Sequence, residues 1–192
     1  MRTKIFYDAE FTGLHQSTTL ISLALCADDG REFYAEFSDF NREQCDDWIQ
    51  SHVLSLTCWA NQADVVPFNK KEGDLHLCFG NSSFVKSALL EWLSNFDEIE
   101  IWADCLAWDW VLFCELFGGA FSLPKQIFYM PFDLLMFFKE KGLDADTPRI
   151  AFAKKHGVVF EQGELHNALF DARLAKICHG LLASSNTRHL KL

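Results

Sequence analysis

The sequence predicts an α/β fold in which a mixed sheet of five strands carries helices on its faces. Three short strand-like segments open the chain: residues 3–10 (TKIFYDAE), 18–26 (TTLISLALC) and 31–37 (REFYAEF), with the turn signal ADDG between the last two. From residue 82 onward, helical periodicities alternate with two further strand-like runs, EIEIWA and QIFYM. Hydrophobic residues make up 49% of the 192, with 19 Phe and 6 Trp, enough to cover both faces of such a sheet.

The first three strands form an antiparallel meander. After it the period changes: in NREQCDDWIQSHVLSL, residues Trp48, Ile49, His52, Val53 and Leu56 fall at helical spacing. Residues 58–81 mix turn residues with short apolar pieces and read as a loop, with room for a short edge strand. SSFVKSALLEWLSNF begins a helix with Ser82 or Ser83 as its N-cap and leads into EIEIWA. LAWDWVLFCELFGG reads as a helix stopped by Gly118 and Gly119, and QIFYM as the last strand. Three helices close the chain: DLLMFFKEKG, TPRIAFAKKHG and HNALFDARLAKICHGLLAS, the second with Pro148 at its start and Gly157 just past its end. Asp104 and Asp133 stand at element starts and read first as caps. Strands followed by alternating helices and strands imply parallel pairing beside the meander. No internal repeat is visible, so residues 1–192 are expected to form one domain with a polar tail from about residue 184.

Composition narrows the function. The net charge of −10 argues against a broad basic face that coats nucleic acid, although divalent cations in an acidic cleft would reverse the local sign. Seven cysteines form no CxxC pair and are odd in number, which argues against a secreted disulfide framework. The apolar run in MRTKIFYDAEF is interrupted by charge too early for a signal-peptide core, and no run reaches the ~20 residues that span a bilayer. A cytoplasmic protein without membrane contact is the expectation.

The chemistry begins at FYDAEFTGL. Asp8 and Glu10 lie two apart on a strand, so they project from one face and crowd each other unless one is protonated or a cation lies between them. Oxygen-rich ligation of this kind suits magnesium or manganese, provided other carboxylates join from elsewhere in the chain. Asp171 in HNALFDARLAK is one source, on a helix whose Leu169, Phe170, Leu174 and Ile177 supply the apolar side. Five helical residues would turn His166 and Asp171 about 140° apart, so both face one cleft only if His166 sits at or before the helix start. There a histidine is placed to act as a base. Asp109 is flanked by Trp108 and Trp110 in a helix that begins near Leu106, where a first-turn acid also suits the helix dipole.

Together Asp8, Glu10, Asp109, His166 and Asp171 resemble the DEDDh 3′-to-5′ exonucleases of the ribonuclease-H-like superfamily. YDAEFTGL matches the first motif, AWDWVLF the second and HNALFDA the third, in order and over nearly the whole chain. WADCLAWDW is most similar to the small bacterial 3′-to-5′ exoribonuclease branch. One departure is Asp104-Cys105 where many relatives carry His-Asn, while the acid at Asp109 is retained. The resemblance implies a ribonuclease-H-like sheet and two Mg²⁺ or Mn²⁺ ions per active site. Asp8, Glu10 and Asp171 would hold the first, Asp8 and Asp109 the second, and His166 would take the proton from the attacking water. It further implies that Phe11, Thr12, Gly13 and Leu14 lie against the terminal nucleotides of single-stranded RNA or a short oligonucleotide, with release of nucleoside 5′-monophosphates. Relatives are often homodimers. The alternatives are a DNA 3′-to-5′ exonuclease of the same superfamily and a non-catalytic nucleic-acid-binding module. Six basic residues between 125 and 155, Arg149 among them, read mostly as a solvated face with some able to guide a phosphate backbone.

Overall fold

Residues 2–160 and 165–184 are described by the structure, a computed structural model; the polar tail expected from about residue 184 lies outside the described residues. The meander forms as the alternation requires: β1 (Thr3–Phe11), β2 (Leu20–Ala27) and β3 (Glu32–Phe37) pair antiparallel in sequence. β4 (Phe68–Glu72) and β5 (Leu75–Gly80) form a hairpin, β6 (Ile99–Ala103) runs parallel to β1, and the two-residue β7 (Phe132–Asp133) runs parallel to β6. The strand order is β4-β5-β3-β2-β1-β6-β7. Its central part, β3-β2-β1-β6-β7, is the ribonuclease-H-like arrangement.

The sheet therefore has seven strands, where five were expected. The two extra strands come from residues 68–80, whose turn is made by Gly73 at φ +62°, a left-handed conformation that glycine adopts without strain. QIFYM is not a strand: only Ile127 bridges to Ile99 before the chain bends at Tyr129 and Met130 ahead of Pro131. Pairing resumes at Phe132. β4 is the outer edge, and its Asn69, Lys70, Lys71 and Glu72 are exposed, with a Lys70–Glu72 ion pair at 2.6 Å.

Six helices flank the sheet among the described residues: α1 (Asp47–His52), α2 (Ser82–Leu93), α3 (Ala107–Phe117), α4 (Leu134–Glu140), α5 (Arg149–Lys155) and α6 (Ala168–Ser184). The helix expected after Asn41 is broken into α1 and two flanking 3₁₀ turns. The N-cap of α2 is Asn81, not Ser82 or Ser83, because its side chain accepts the Phe84 N–H at 2.9 Å. α3 starts after Leu106 as expected and ends at Gly118 in the left-handed conformation. Asp133 caps α4 through the Leu135 N–H.

Alternation along β1 divides the interior. Ile5, Tyr7 and Ala9 face a core closed by Val85, Leu89, Trp92 and Leu93 of α2 and Phe113 and Phe117 of α3. Phe6 faces the other way, into a core closed by Phe138 of α4, Phe152 of α5 and Ala172, Ala175 and Cys178 of α6. Burying a side chain such as Phe6 or Phe138 is worth roughly 2–3 kcal/mol, so both sets of helices are held firmly on the sheet. Asp8 and Glu10 share the Phe6 side by the same alternation, which directs them toward α6. No helix among the described residues is long and apolar enough to cross a membrane.

Candidate active site

β1 outlasts its parallel neighbour. Its pairing with β6 ends at Phe6 opposite Trp102, so beyond that point this edge of β1 has no strand beside it. The N–H of Ala9 needs another acceptor and donates to Asp109 Oδ1 at 2.9 Å. Asp109 thus reaches the end of β1 from the first turn of α3. On the other flank, Asp171 stands in the first turn of α6 and its Oδ2 accepts the backbone N–H of His166 at 2.8 Å. His166 precedes the helix, as the angular argument required, with a φ of +70° that non-glycine residues seldom adopt.

Asp8, Glu10 and Asp171 each offer a carboxylate oxygen within 4.8 Å of the others. Ionised carboxylates at such a separation repel by roughly 3–4 kcal/mol per pair at an effective dielectric near 20. The protein does little to relieve this. Among the described residues no hydrogen bond reaches the Asp8 or Glu10 carboxylates, while Asp109 and Asp171 each accept a backbone N–H. Burial, then the neighbouring acids, pushes the Asp8 pKa well above the usual range; the same causes push Glu10 up to about 8. Burial also lifts Asp109 to about 7 and Asp171 to about 6, against their backbone hydrogen bonds. His166 is lowered by burial and by His52.

A cavity of about 660 Å³ opens over these groups. Asp8, Glu10, Asp109, His166 and Asp171 all line it, so the structure brings together the acids and histidine singled out in the sequence. Phe11, Gly13 and Leu14 line it as well, with Leu14 73% exposed. Thr12 does not. Its side chain is buried, its hydroxyl donating to Gln44 Oε1 at 2.6 Å and accepting the Thr19 N–H at 2.9 Å, so it holds the loop shape and offers the cavity no surface.

Two features were not visible in the sequence. Trp48 on α1, taken there as an apolar helix position, is 49% exposed at the cavity; its ring stacks on His52 and meets the His166 ring edge-on at 4.9 Å. Asp104 caps no helix among the described residues. It pairs with Arg149 at 2.7 Å, and Arg149 is accordingly not part of a solvated face.

A sequence model of a family described as the 3′-5′ exoribonuclease Rv2179c-like domain matches residues 3–181. Two curated proteins of Mycobacterium tuberculosis are similar over most of the chain. They are the 3′-5′ exoribonuclease Rv2179c of strain ATCC 25618 / H37Rv and the 3′-5′ exoribonuclease MT2234.1 of strain CDC 1551 / Oshkosh. Each is 29% identical over 173 residues, covering 88% of this chain and 87% of its own length.

Proposed function

The chain belongs to the Rv2179c-like 3′-5′ exoribonuclease domain family, and from this membership and the acid cluster we propose that it is a metal-dependent 3′-5′ exoribonuclease of the DEDDh type. It would shorten single-stranded 3′ ends and release nucleoside 5′-monophosphates. The carrying observation is the meeting of Asp8, Glu10 and Asp171 within 4.8 Å under a cavity of nucleotide size.

The donor set fits a hard divalent ion. It offers carboxylate oxygens alone, crowded together, two of the acids without any protein hydrogen bond among the described residues. This suits Mg²⁺ or Mn²⁺ better than softer metals. Asp8, Glu10 and Asp171 would hold one ion, and Asp8 with Asp109 a second. Bound ions supply positive charge to the scissile phosphate and make water easier to deprotonate.

The remaining steps belong to the chain's own residues. His166, whose pKa is lowered by burial and by His52 so that the neutral ring is favoured, accepts a proton from the attacking water. Trp48 holds the ring of His166 from the side, while the bond from its backbone to Asp171 fixes its main chain. Phe11 and Leu14 give apolar surface to the terminal bases without selecting among them. Gly13 sits at φ +155° where a Cβ would come to 3.0 Å from the His15 ring, so any side chain there would press on that ring.

Matched RNA and DNA oligonucleotides, 5′-labelled and incubated with Mn²⁺, test this reading. A ladder shortening from the 3′ end, faster for RNA and abolished by EDTA, is expected. Equal or faster degradation of DNA would assign a DNA exonuclease, and binding without cleavage a non-catalytic module. Size-exclusion chromatography of the same protein tests the homodimer that the resemblance implies.

A further inference from the structure

Asp104 lines the same cavity as Asp8, Glu10, Asp109 and Asp171; like Asp109 it stands outside the trio Asp8, Glu10 and Asp171 whose oxygens meet, but unlike Asp109, which bonds to the end of β1, its carboxylate is turned to an arginine. Arg149 grips its carboxylate on both oxygens, Nε donating to Oδ2 and Nη2 to Oδ1, each at 2.7 Å. Such a planar two-point pair is among the stronger charge contacts a protein makes. The guanidinium is itself fixed. Nη1 donates to the carbonyls of Ala145 at 2.9 Å and Thr147 at 2.6 Å, the group lies 4.1 Å over the Phe138 ring, and the side chain is only 12% exposed.

The position of this pair gives it meaning. Asp104 directly follows β6 and precedes Asp109 by five residues, in a turn where Cys105 has a φ of +56°. Arg149 opens α5, and its carbonyl accepts the Cys178 thiol at 3.6 Å from α6, the helix that carries Asp171. The Asp104 charge is close enough to raise the pKa values of Asp8, Asp109 and Asp171. Left free, a fifth carboxylate in this cavity would compete for any cation held there.

We propose that Arg149 is a positioning residue that withholds Asp104 from the cation site, so that four acids alone decide where the ions sit. This inference rests on the metal-dependent reading above. It gives the 45-residue separation of the pair a purpose: the counter-charge comes from an element outside the three motifs and does not occupy the ion positions.

Full-length wild type, Arg149→Met, Asp104→Asn and the double variant would be compared for kcat and KM on an oligoribonucleotide, and for Mn²⁺ binding by its shift of the melting temperature. Arg149→Met should bind Mn²⁺ at least as tightly as wild type, keep KM within ~3-fold, and lose ~10–100-fold in kcat as the ions are drawn off position. The double variant, without the stray carboxylate, should recover at least ~5-fold of that loss. An equal kcat for Arg149→Met and the double variant overturns the proposal, as does unchanged kcat or weakened Mn²⁺ binding in Arg149→Met. If Arg149→Met does not fold, Arg149→Lys replaces it, since lysine keeps the charge with a single-point contact. A kcat loss in that variant relieved by Asp104→Asn supports the proposal, and one not relieved overturns it. Wild-type protein that neither binds Mn²⁺ nor degrades RNA would overturn the enzymatic reading, and this inference with it.

Discussion

Glu10 and Glu36 stand in one row of the sheet, on strands either side of Ser22, and their surroundings are opposite. Glu36 is fully buried and surrounded by donors. Its Oε1 accepts the Tyr34 hydroxyl at 2.7 Å and the Cys58 N–H at 2.6 Å, and its Oε2 the N–H groups of Trp59 at 2.7 Å and Ala60 at 2.6 Å. Glu10, half-buried, receives no hydrogen bond among the described residues and faces Asp8 and Asp171 instead. A carboxylate whose lone pairs are filled by the chain pins a segment in place, here residues 58–60. One whose lone pairs are left over, among like charges, is arranged for something the chain does not contain.

Loss of the first kind of acid and the second should therefore have different signatures. The largest effect is expected from Asp8→Asn, which should lower exonuclease kcat by at least ~10³-fold in a gel assay. Its metal-free melting temperature should hold steady or rise, because the fold no longer has to bury an acid that burial and neighbouring carboxylates disfavour in its charged form. A clear fall would break the contrast. Glu36→Gln should do the reverse: the amide NH₂ must meet backbone N–H groups, costing roughly 2–4 kcal/mol in urea unfolding while the folded fraction keeps its activity and its response to Mn²⁺.

A third test uses protons. Glu10, Asp109 and Asp171 have raised pKa values of about 8, 7 and 6, so the metal-free fold binds these protons more tightly than the unfolded chain. Stability in EDTA should consequently fall as pH rises from about 4, the ordinary range of these carboxyls, through about 8, and the Mn²⁺-induced gain in melting temperature should grow over the same window, since ions replace protons on these acids. A gain independent of pH would mean that the acids are not the ligands. The smallest effect is expected at His179, held among the rings of Phe6, Trp102 and Phe137 with its pKa lowered by burial to about 4. Its neutral form favours the fold above about pH 6.5, and that contribution is lost as pH falls toward 4. For a half-buried ring, screening leaves about 1 kcal/mol, so His179→Phe should flatten the acid side of the stability curve by that amount.

What the sequence revealed follows from the range of the forces involved. Asp8 and Glu10 were legible because a two-residue spacing on a strand is a local fact, and His166 was placed before α6 by an angle that five residues determine. The β4-β5 hairpin was hidden because in FNKKE only Phe68 is partly buried and the four residues after it are exposed, so the segment carries none of the alternation that marks a half-buried strand. QIFYM has strand composition, but Pro131 and the bend at Tyr129 and Met130 override it. The pairing of Asp104 with Arg149 spans 45 residues, and no local pattern distinguishes such an acid from a helix cap. Trp48 likewise needed the third dimension to be set beside His166.

The outer strand has a consequence for how copies of this protein meet. Its successive Lys70 and Lys71 present ammonium groups on both sides of a ribbon whose peptide groups would otherwise invite another chain to zip on. At the opposite margin, β7 is two residues long and offers almost nothing to extend. Self-association by growing one continuous sheet across molecules is thereby disfavoured at both borders, and dimerisation, where it occurs, falls to helices and loops. Replacing Lys70 and Lys71 with valine should raise turbidity on standing above that of the wild type at equal concentration.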